Sequence, residues 1–289
     1  MSSALTPIKL ALDWYINPDH APILIAEQLG YFKAHGLEVS LIEPTSTSEA
    51  RNLVLSGQAD LAIDYEPETL IAIGQGLPIV IAGILVPTPL SCLATLKQSQ
   101  ITTLTDLRGK TIGYSGDALE AAFLRTELQQ AGLKPDEVKL LPINMDLSQA
   151  LLSKKVDAVN GMMRNVEPIM LAQMGVQTRL FYPEQNHIPT YAELIFIAKK
   201  NHLSPQTIQA FMAAVGEGAT YVKAHPQQSY QIALQGYAKS LATSSTIQQQ
   251  NQGIWLASVP YFTSHPLNLH PKEELVLVHY LQQQHLIIK

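Results

Sequence analysis

Apolar and polar positions follow the same order twice along this chain. The first copy has a short apolar segment after Gly36, an amphipathic segment that ends at Ser56, and a second apolar segment that ends at Ile63. The second copy repeats this order between Gly132 and Asn160. Each copy is typical of a helix that ends at a glycine, followed by a strand, a helix and a further strand. The sequence therefore predicts two similar βαβ units.

Two βαβ units predict two α/β lobes. Right-handed crossovers would give each lobe a parallel sheet covered by helices on both faces. The first strands are predicted at Ile8–Leu12 and Thr111–Tyr114. A strand at Ser91–Leu96 should leave the first lobe, and a strand at Glu193–Ala198 should return to it. We therefore assign residues 1–97 and 193–289 to lobe 1 and residues 98–192 to lobe 2.

The two predicted chain crossings favour a hinge. Few covalent restraints between lobes would allow closure around a ligand, with Tyr114–Asp117 and Arg164–Glu167 moving over a ring held by lobe 1. The segments Ser204–Ala224 and Gln227–Leu241 have helical periodicity, and the Gln- and Ser-rich segment Ser244–Gln252 is predicted as a surface helix or loop.

Composition narrows the classes of function. Of the 289 residues, 46% are hydrophobic and 15% are charged, which is typical of a globular protein. A net charge of −5 and a pI of about 6.0 argue against a nucleic-acid partner. The one cysteine, Cys92, excludes an internal disulfide and a multi-thiolate metal site. No His pair has metal-ligand spacing near a carboxylate, so we expect no metal site. We also expect no cofactor.

The start of the chain bears on localisation. It has no basic segment followed by an apolar one, and no apolar run is long enough to span a bilayer. We expect either a cytoplasmic protein, if the native chain starts at Met1, or an exported protein from which the signal peptide is missing. A monomer is expected.

Polar and aromatic residues follow the predicted strands, where ligands bind in open α/β sheets. Aromatic faces with a few carboxylates and amides suit a flat, nitrogen-rich ring. The candidate ligand-binding residues are Trp14, Asn17, His20, Tyr65, Glu66, Tyr114, Arg164, Asn165, Glu167, Tyr191 and Glu193.

Structural roles are the alternative for several of these positions. Trp14 and Tyr15 are also compatible with core packing, and Asp13 and Asp64 with helix capping. Arg164 is equally compatible with a structural ion pair, and His20 with a packed histidine. Tyr65 and Glu66 favour a ligand, since a buried strand that ends in charge needs a partner. Catalytic motifs such as Gly-x-Ser-x-Gly or a Walker loop are absent from the sequence, and Cys92 is expected to be a buried inert thiol.

A family resemblance rests on particular segments. The chain resembles the thiamine-pyrimidine precursor binding proteins of ABC importers, the ThiY type, and their relative, the fungal-type hydroxymethylpyrimidine phosphate synthase. The most specific segment is Leu12–Pro22, and the resemblance extends over about Ile8 to Lys200. The other matching segments are Gly30–Val39, Glu43–Pro44, Gly57–Glu68, Asp106–Tyr114, Asp157–Glu167 and Tyr182–Glu184. This resemblance implies a type II periplasmic-binding-protein fold, which agrees with the two lobes and the two-crossing hinge predicted above.

The two relatives differ in what the resemblance implies for the segment after Asp60. The synthase would need a lysine for pyridoxal phosphate and a histidine consumed as substrate, and Asp64 and Glu68 stand at the corresponding places. The synthase's cysteine cluster before the returning strand is also missing from His187–Glu193. A binding protein, and not an enzyme, is therefore favoured.

Our first hypothesis is a solute-binding protein that closes on an aminopyrimidine precursor of thiamine and delivers it to an ABC transporter permease. Trp14 and Tyr191 would stack on the ring, while Glu66, Glu193 and Asn17 bond its nitrogens. A periplasmic location follows from that role. The alternatives are a synthase-like enzyme with His20 as acid or base, and a binder of another small solute.

Overall fold

The structure is a computed structural model that describes residues 4–45, 47–144 and 146–287. The chain divides into two compact units. Unit 1 comprises Met1–Thr88 and Ala192–Pro271, and unit 2 comprises Pro89–Tyr191 and Lys272–Lys289. The two-lobed α/β organisation predicted from the repeat is thus confirmed.

Strands and helices alternate through most of the chain. In chain order, the strands are β1 (Thr6–Ala11), β2 (Leu37–Ile42), β3 (Leu61–Asp64), β4 (Ile79–Val86), β5 (Ser91–Leu96), β6 (Thr111–Tyr114), β7 (Lys139–Pro142), β8 (Ala158–Met163), β9 (Thr178–Phe181) and β10 (Leu194–Lys199). The α-helices are α1 (Ala21–Gln28), α2 (Tyr31–Ala34), α3 (Thr47–Ser56), α4 (Glu66–Gly74), α5 (Ala118–Gln130), α6 (Leu147–Leu152), α7 (Glu167–Gln173), α8 (Pro205–Ala224), α9 (Pro226–Leu241), α10 (Ser245–Ser258) and α11 (Pro271–Gln283). The tail is helical as predicted, and its Gln-rich segment forms most of α10.

The two units contain sheets of equivalent topology. The strand order is β2-β1-β3-β10-β4 in unit 1 and β7-β6-β8-β5-β9 in unit 2. In unit 1, β1 pairs in parallel with β2 and β3, and in unit 2, β6 pairs in parallel with β7 and β8. The carboxyl ends of these parallel strands therefore lie together at one edge of each sheet, where the candidate residues follow.

The prediction of wholly parallel sheets is wrong for one strand in each unit. In unit 1, β10 runs antiparallel to β3 and β4, and in unit 2, β5 runs antiparallel to β8 and β9. Each of these strands enters its sheet from a segment of the other unit and not through a βαβ crossover within its own sheet. The right-handed crossover rule therefore does not set its direction.

The predicted lobe boundaries also need correction. Strand β5 belongs to the sheet of unit 2, so the first boundary lies between Thr88 and Pro89 and not after Lys97. The end of the chain belongs to unit 2 as well, because Tyr280 of α11 packs against Phe123 of α5. The chain consequently passes between the units three times, and not twice as predicted.

Apolar packing joins the helices to one another and to the sheets. In unit 1, α8 packs against α1 at Gly218, where a side chain would overlap the carbonyl oxygen of Pro22. In unit 2, one apolar cluster lies around Leu151 and Val159 and a second around Leu124 and Ile112. Within the described part of the chain, no helix is both long enough and apolar enough to cross a membrane.

Candidate functional site

Asp13 connects the chain after β1 with the chain after β3. Its Oδ1 accepts a hydrogen bond from Nε2 of His20 at 2.9 Å, and its Oδ2 accepts one from the hydroxyl of Tyr65 at 2.7 Å. Burial raises the pKa of Asp13, but the hydrogen bonds from His20 and Tyr65 outweigh burial and hold the pKa below its ordinary value. The helix-capping alternative for Asp13 is therefore replaced by a role in this network.

His20 is fully buried, and its partners define its tautomer. The backbone N–H of Asn17 donates to Nδ1 of His20 at 3.3 Å, so Nδ1 carries no proton and Nε2 carries one. The side chain of Asn17 caps the 3₁₀ turn Pro18–His20, since its Oδ1 accepts from the backbone N–H of Asp19 at 2.8 Å. These contacts show that Asn17 and His20 shape the turn after β1.

Aromatic rings lie beside this network on the same loop. The side chain of Tyr15 is 57% exposed and Trp14 is half-buried, so the core alternative is wrong for Tyr15 and incomplete for Trp14. Their ring centroids are 5.5 Å apart. A half-buried tryptophan at the carboxyl end of β1 can offer one face of its ring to a flat ligand.

Carboxylates surround Tyr65. Burial, followed by the negative charge of Asp13, raises the pKa of Tyr65 well above its ordinary value, and Glu193 and Glu68 act in the same direction. Glu66 is 9% exposed, and its Oε2 accepts the backbone N–H of Ala192 at 2.5 Å. Unit 1 thus brings the candidates His20, Tyr65, Glu66 and Glu193 to one acidic region at the ends of β1 and β3.

Asp64 has a structural role that the sequence did not reveal. Arg51 of α3 donates to both of its oxygens, at 2.7 and 2.8 Å, and the Thr69 hydroxyl donates to Oδ2 at 2.8 Å. The backbone N–H of Tyr65 donates to Oδ1 at 3.0 Å. The capping alternative for Asp64 is thus replaced by an ion pair, and a lone arginine in the amphipathic segment gave no sign of this contact.

The end of β6 in unit 2 carries a second polar cluster. Glu120 of α5 accepts hydrogen bonds from the backbone N–H and the hydroxyl of Ser115, and it accepts one from the Asn160 side-chain amide at 3.1 Å. Burial raises the pKa of Glu120. The candidate Tyr114 is half-buried immediately before this cluster. Sequence analysis missed Glu120, because it belongs to no recognisable motif.

Arg164 forms the ion pair that was its structural alternative. Its guanidinium donates to both oxygens of Glu184, at 2.7 and 2.9 Å, and lies 4.1 Å from the centroid of the Tyr182 ring. Its side chain is 7% exposed. This geometry is a buried, two-point contact reinforced by a cation–π interaction, and it makes Arg164 a rigid part of unit 2.

The remaining unit 2 candidates are largely buried. Asn165 is 1% exposed, and Oε2 of Glu167 accepts the backbone N–H of Met163 at 2.8 Å at the start of α7. Tyr191 is 6% exposed, and its ring centroid lies 5.6 Å from that of Phe123. Packing against α5 therefore fixes the Tyr191 ring.

Two buried titratable groups lie in the interior of unit 2. Burial, assisted by the charge of Glu184, raises the pKa of Glu127 to about 8, and no described residue is within hydrogen-bond distance of its Oε1. Burial also raises the pKa of the Cys92 thiol, which donates to the Met162 carbonyl oxygen. Both features suit an inert interior. Glu127 was missed because it lies on an otherwise apolar face of α5.

A metal site finds no support in the described residues, among which no three His, Cys, Asp or Glu side chains are arranged to hold an ion. The side chains whose charges act on Tyr65 are instead the carboxylates of Asp13, Glu68 and Glu193. Such a set can hold a ligand that donates hydrogen bonds.

Comparisons with known proteins identify the family of this chain. The family described as NMT1/THI5 like matches residues 17–229. A thiamine biosynthesis protein of Haemophilus influenzae is 36% identical over 288 residues, which span 100% of this chain and 90% of that protein. The formylaminopyrimidine-binding protein of Halalkalibacterium halodurans is 30% identical, over 80% of this chain and 71% of that protein.

More distant similarities extend to an enzyme and to a transport protein. The 4-amino-5-hydroxymethyl-2-methylpyrimidine phosphate synthase of Legionella pneumophila is 27% identical over 93% of this chain and 84% of that protein. Among solved structures, the periplasmic aliphatic sulphonate binding protein of Escherichia coli has a TM-score of 0.77 with 16% identity, covering 99% of this chain and 95% of that one. At that identity the likeness shows the fold alone.

Proposed function

Because this chain belongs to the NMT1/THI5-like family, we propose that it is a solute-binding protein that captures an aminopyrimidine precursor of thiamine. The ligand is formylaminopyrimidine or hydroxymethylpyrimidine. The relative named for formylaminopyrimidine binding supports this choice. The type II periplasmic-binding-protein fold is compatible with it.

The observation that carries the proposal is the acidic region of unit 1. Asp13, Glu66 and Glu193 are each less than 10% exposed, and they lie at the same strand ends as Tyr65. Asp13 is already engaged by His20 and Tyr65, but the combined negative charge of these buried carboxylates favours a ligand with several N–H donors, which an aminopyrimidine supplies through its exocyclic amine and, when protonated, a ring nitrogen. The half-buried ring of Trp14 would stack on the pyrimidine.

The same carboxylates argue against an anionic ligand. A sulfonate placed beside Asp13, Glu66 and Glu193 would meet like charges in a region of low dielectric. The candidate contacts in unit 2, Asn165 and Glu167 among them, stay predictions that alanine variants and affinity measurements can test.

A synthase-like enzyme is the second candidate, supported by the relatives named as synthases. Two observations weigh against it. Asp64 stands where a lysine would hold pyridoxal phosphate, and its carboxylate is occupied by Arg51 and Thr69. His20, the proposed acid or base, has one ring nitrogen bonded to the backbone and the other to Asp13, which leaves no nitrogen for proton transfer to a substrate.

Calorimetric titration tests the proposed function. The panel comprises formylaminopyrimidine, hydroxymethylpyrimidine, thiamine, pyridoxal phosphate and an alkanesulfonate. We expect saturable binding of an aminopyrimidine and recovery of that ligand unchanged. Turnover, or an imine absorbance band with pyridoxal phosphate, would favour the synthase, and no binding by any aminopyrimidine would contradict the proposal.

The proposed role also requires a partner and a compartment. A binding protein of an ABC importer captures its ligand outside the cytoplasmic membrane and delivers it to a permease within that membrane. We therefore propose a periplasmic location. Fractionation of cells that express the native gene, with detection by antibody, tests this. Recovery of the protein only from the cytoplasm would rule out the importer role while leaving aminopyrimidine binding intact.

A further inference from the structure

The hydrogen bonds of Asp13 fix which way the Tyr65 hydroxyl points. Asp13 is a carboxylate, because hydrogen bonds hold its pKa below the ordinary value, and a carboxylate only accepts. At 2.7 Å from Oδ2 of Asp13, the Tyr65 hydroxyl must therefore donate its single proton to that oxygen. What remains on the phenol oxygen is acceptor capacity.

His20 prevents Asp13 from rotating out of this arrangement. Its Nδ1 accepts from the backbone of Asn17, so its Nε2–H is directed at Oδ1 of Asp13. Both carboxylate oxygens are thus engaged, one by His20 and one by Tyr65. His20 is fully buried and Asp13 is 6% exposed, so solvent competes little for these two hydrogen bonds. The hydrogen bond from Asn17 to His20 thus sets the direction of the bond from His20 to Asp13, and the Asp13 carboxylate sets that of the bond from Tyr65.

We propose that Asp13, held by His20, is a positioning residue that makes the Tyr65 hydroxyl a permanent hydrogen-bond acceptor for the exocyclic amine of the ligand. This inference rests on the proposed function and adds a specificity rule to it. Tyr65 is half-buried and directly follows β3, at the sheet edge where ligands bind in open α/β sheets. The negative charges of Glu68 and Glu193 act on Tyr65 in the same direction as that of Asp13, so the local electrostatic potential favours a ligand that donates hydrogen bonds.

The rule predicts discrimination by hydrogen-bond direction. An amino group at the ring position satisfies the phenol oxygen, whereas a group that only accepts would face a second acceptor in a partly desolvated site. Sites built to pair with a ligand N–H reject analogues that lack it far more strongly than apolar pockets reject a change in size. The protein should therefore bind a 4-aminopyrimidine much better than the matching 4-methoxypyrimidine, whose oxygen only accepts.

Asp13→Asn is the most direct test. An asparagine can accept the His20 proton through Oδ1 and turn its amide N–H₂ toward Tyr65, and the phenol would then be free to donate to the ligand. We expect the ratio of amino to methoxy affinity to fall at least tenfold in D13N. In Tyr65→Phe the acceptor is lost, so affinity for the amino ligand should fall about tenfold, equivalent to about 1.4 kcal/mol, and the ratio should fall as well.

Tyr230→Phe is the matched control, because it removes another buried phenol of unit 1 whose hydroxyl bonds to the backbone carbonyls of Leu241 and Gln248. It should leave the ratio unchanged. Folding of every variant is checked by thermal melting, and Tyr65→Phe retains the test if Asp13→Asn does not fold. An unchanged ratio in a folded Tyr65→Phe variant would overturn the inference. Failure of the wild-type protein to bind any aminopyrimidine would instead overturn the proposed function.

Discussion

The guanidinium of Arg51 and the carboxylate of Asp64 form a two-point ion pair, with N–O distances of 2.7 and 2.8 Å. The Asp64 side chain is 4% exposed and that of Arg51 is 20% exposed. The pair joins α3 to the end of β3, immediately before Tyr65. The ion pair therefore holds the end of β3 in place next to the acidic region.

Removing Arg51 should destabilise the protein strongly. In Arg51→Ala the Asp64 carboxylate stays buried beside Thr69 but loses its countercharge, which costs about 3 kcal/mol in unfolding free energy for a buried pair. Urea denaturation followed by circular dichroism measures the loss. Arg108→Ala is the control, since that arginine is 51% exposed in its pair with Glu137 and should cost less than about 1 kcal/mol. Equal losses in the two variants would contradict the buried role.

The repeat made much of the architecture predictable. Glycine-terminated helices and short apolar segments occur at matching places in both copies, and the structure gives both copies the same strand order. The direction of β5 and β10 was not predictable in the same way, because it depends on exchange of a strand between units. The position of α11 was also hidden, since Tyr280 and Phe123 are far apart in the sequence.

The sequence predicted which polar and aromatic residues lie at the strand ends, but it did not predict which residues they contact. The structure places Tyr65, Glu66 and Glu193 close together at strand ends of unit 1, and contact of any of them with a ligand stays a prediction. The partners of Asp64 and Arg164 could not be predicted, because Arg51 and Glu184 approach them through tertiary packing. Spacing along the chain carries no information about such contacts.

Trp14 should report ligand binding by fluorescence. The protein has two tryptophans, and the other, Trp255, is fully buried with its indole N–H bonded to Ser229 at 3.0 Å. A pyrimidine stacked on Trp14 should quench its emission. Trp14→Phe removes the fluorescent indole, so it should abolish the ligand-induced quench. Because phenylalanine keeps an aromatic face, the affinity should fall by less than about tenfold. A quench of full size in Trp14→Phe would show that Trp14 does not contact the ligand.

Cys92 should be unreactive in the folded protein. It is 2% exposed, and burial raises the pKa of its thiol, so very little thiolate exists at pH 8. Titration with a chromogenic disulfide reagent should modify much less than one thiol per chain in buffer over an hour and one thiol in guanidinium chloride. The denatured sample is the control, because the chain has a single cysteine. Rapid modification in buffer would indicate that unit 2 opens locally around β5.

Glu127 should make stability fall as pH rises. Its folded-state pKa is about 8 and its unfolded value is 4.5, so the two states hold this proton equally below pH 4.5. Between these pH values the unfolded state releases the proton while the folded state retains it, so the free energy of unfolding falls with increasing pH until about pH 8.

Glu127→Gln removes this titration and keeps the shape of the side chain. Relative to wild type, the variant should therefore gain on the order of 3 kcal/mol in unfolding free energy between pH 5 and pH 9. Urea denaturation of both proteins at each pH measures the difference and cancels the other titrating groups. Asp136→Asn, at an exposed turn of unit 2, serves as the control for the removal of a surface carboxylate. A constant difference between Glu127→Gln and wild type across this range would show that Glu127 ionises normally in the folded protein.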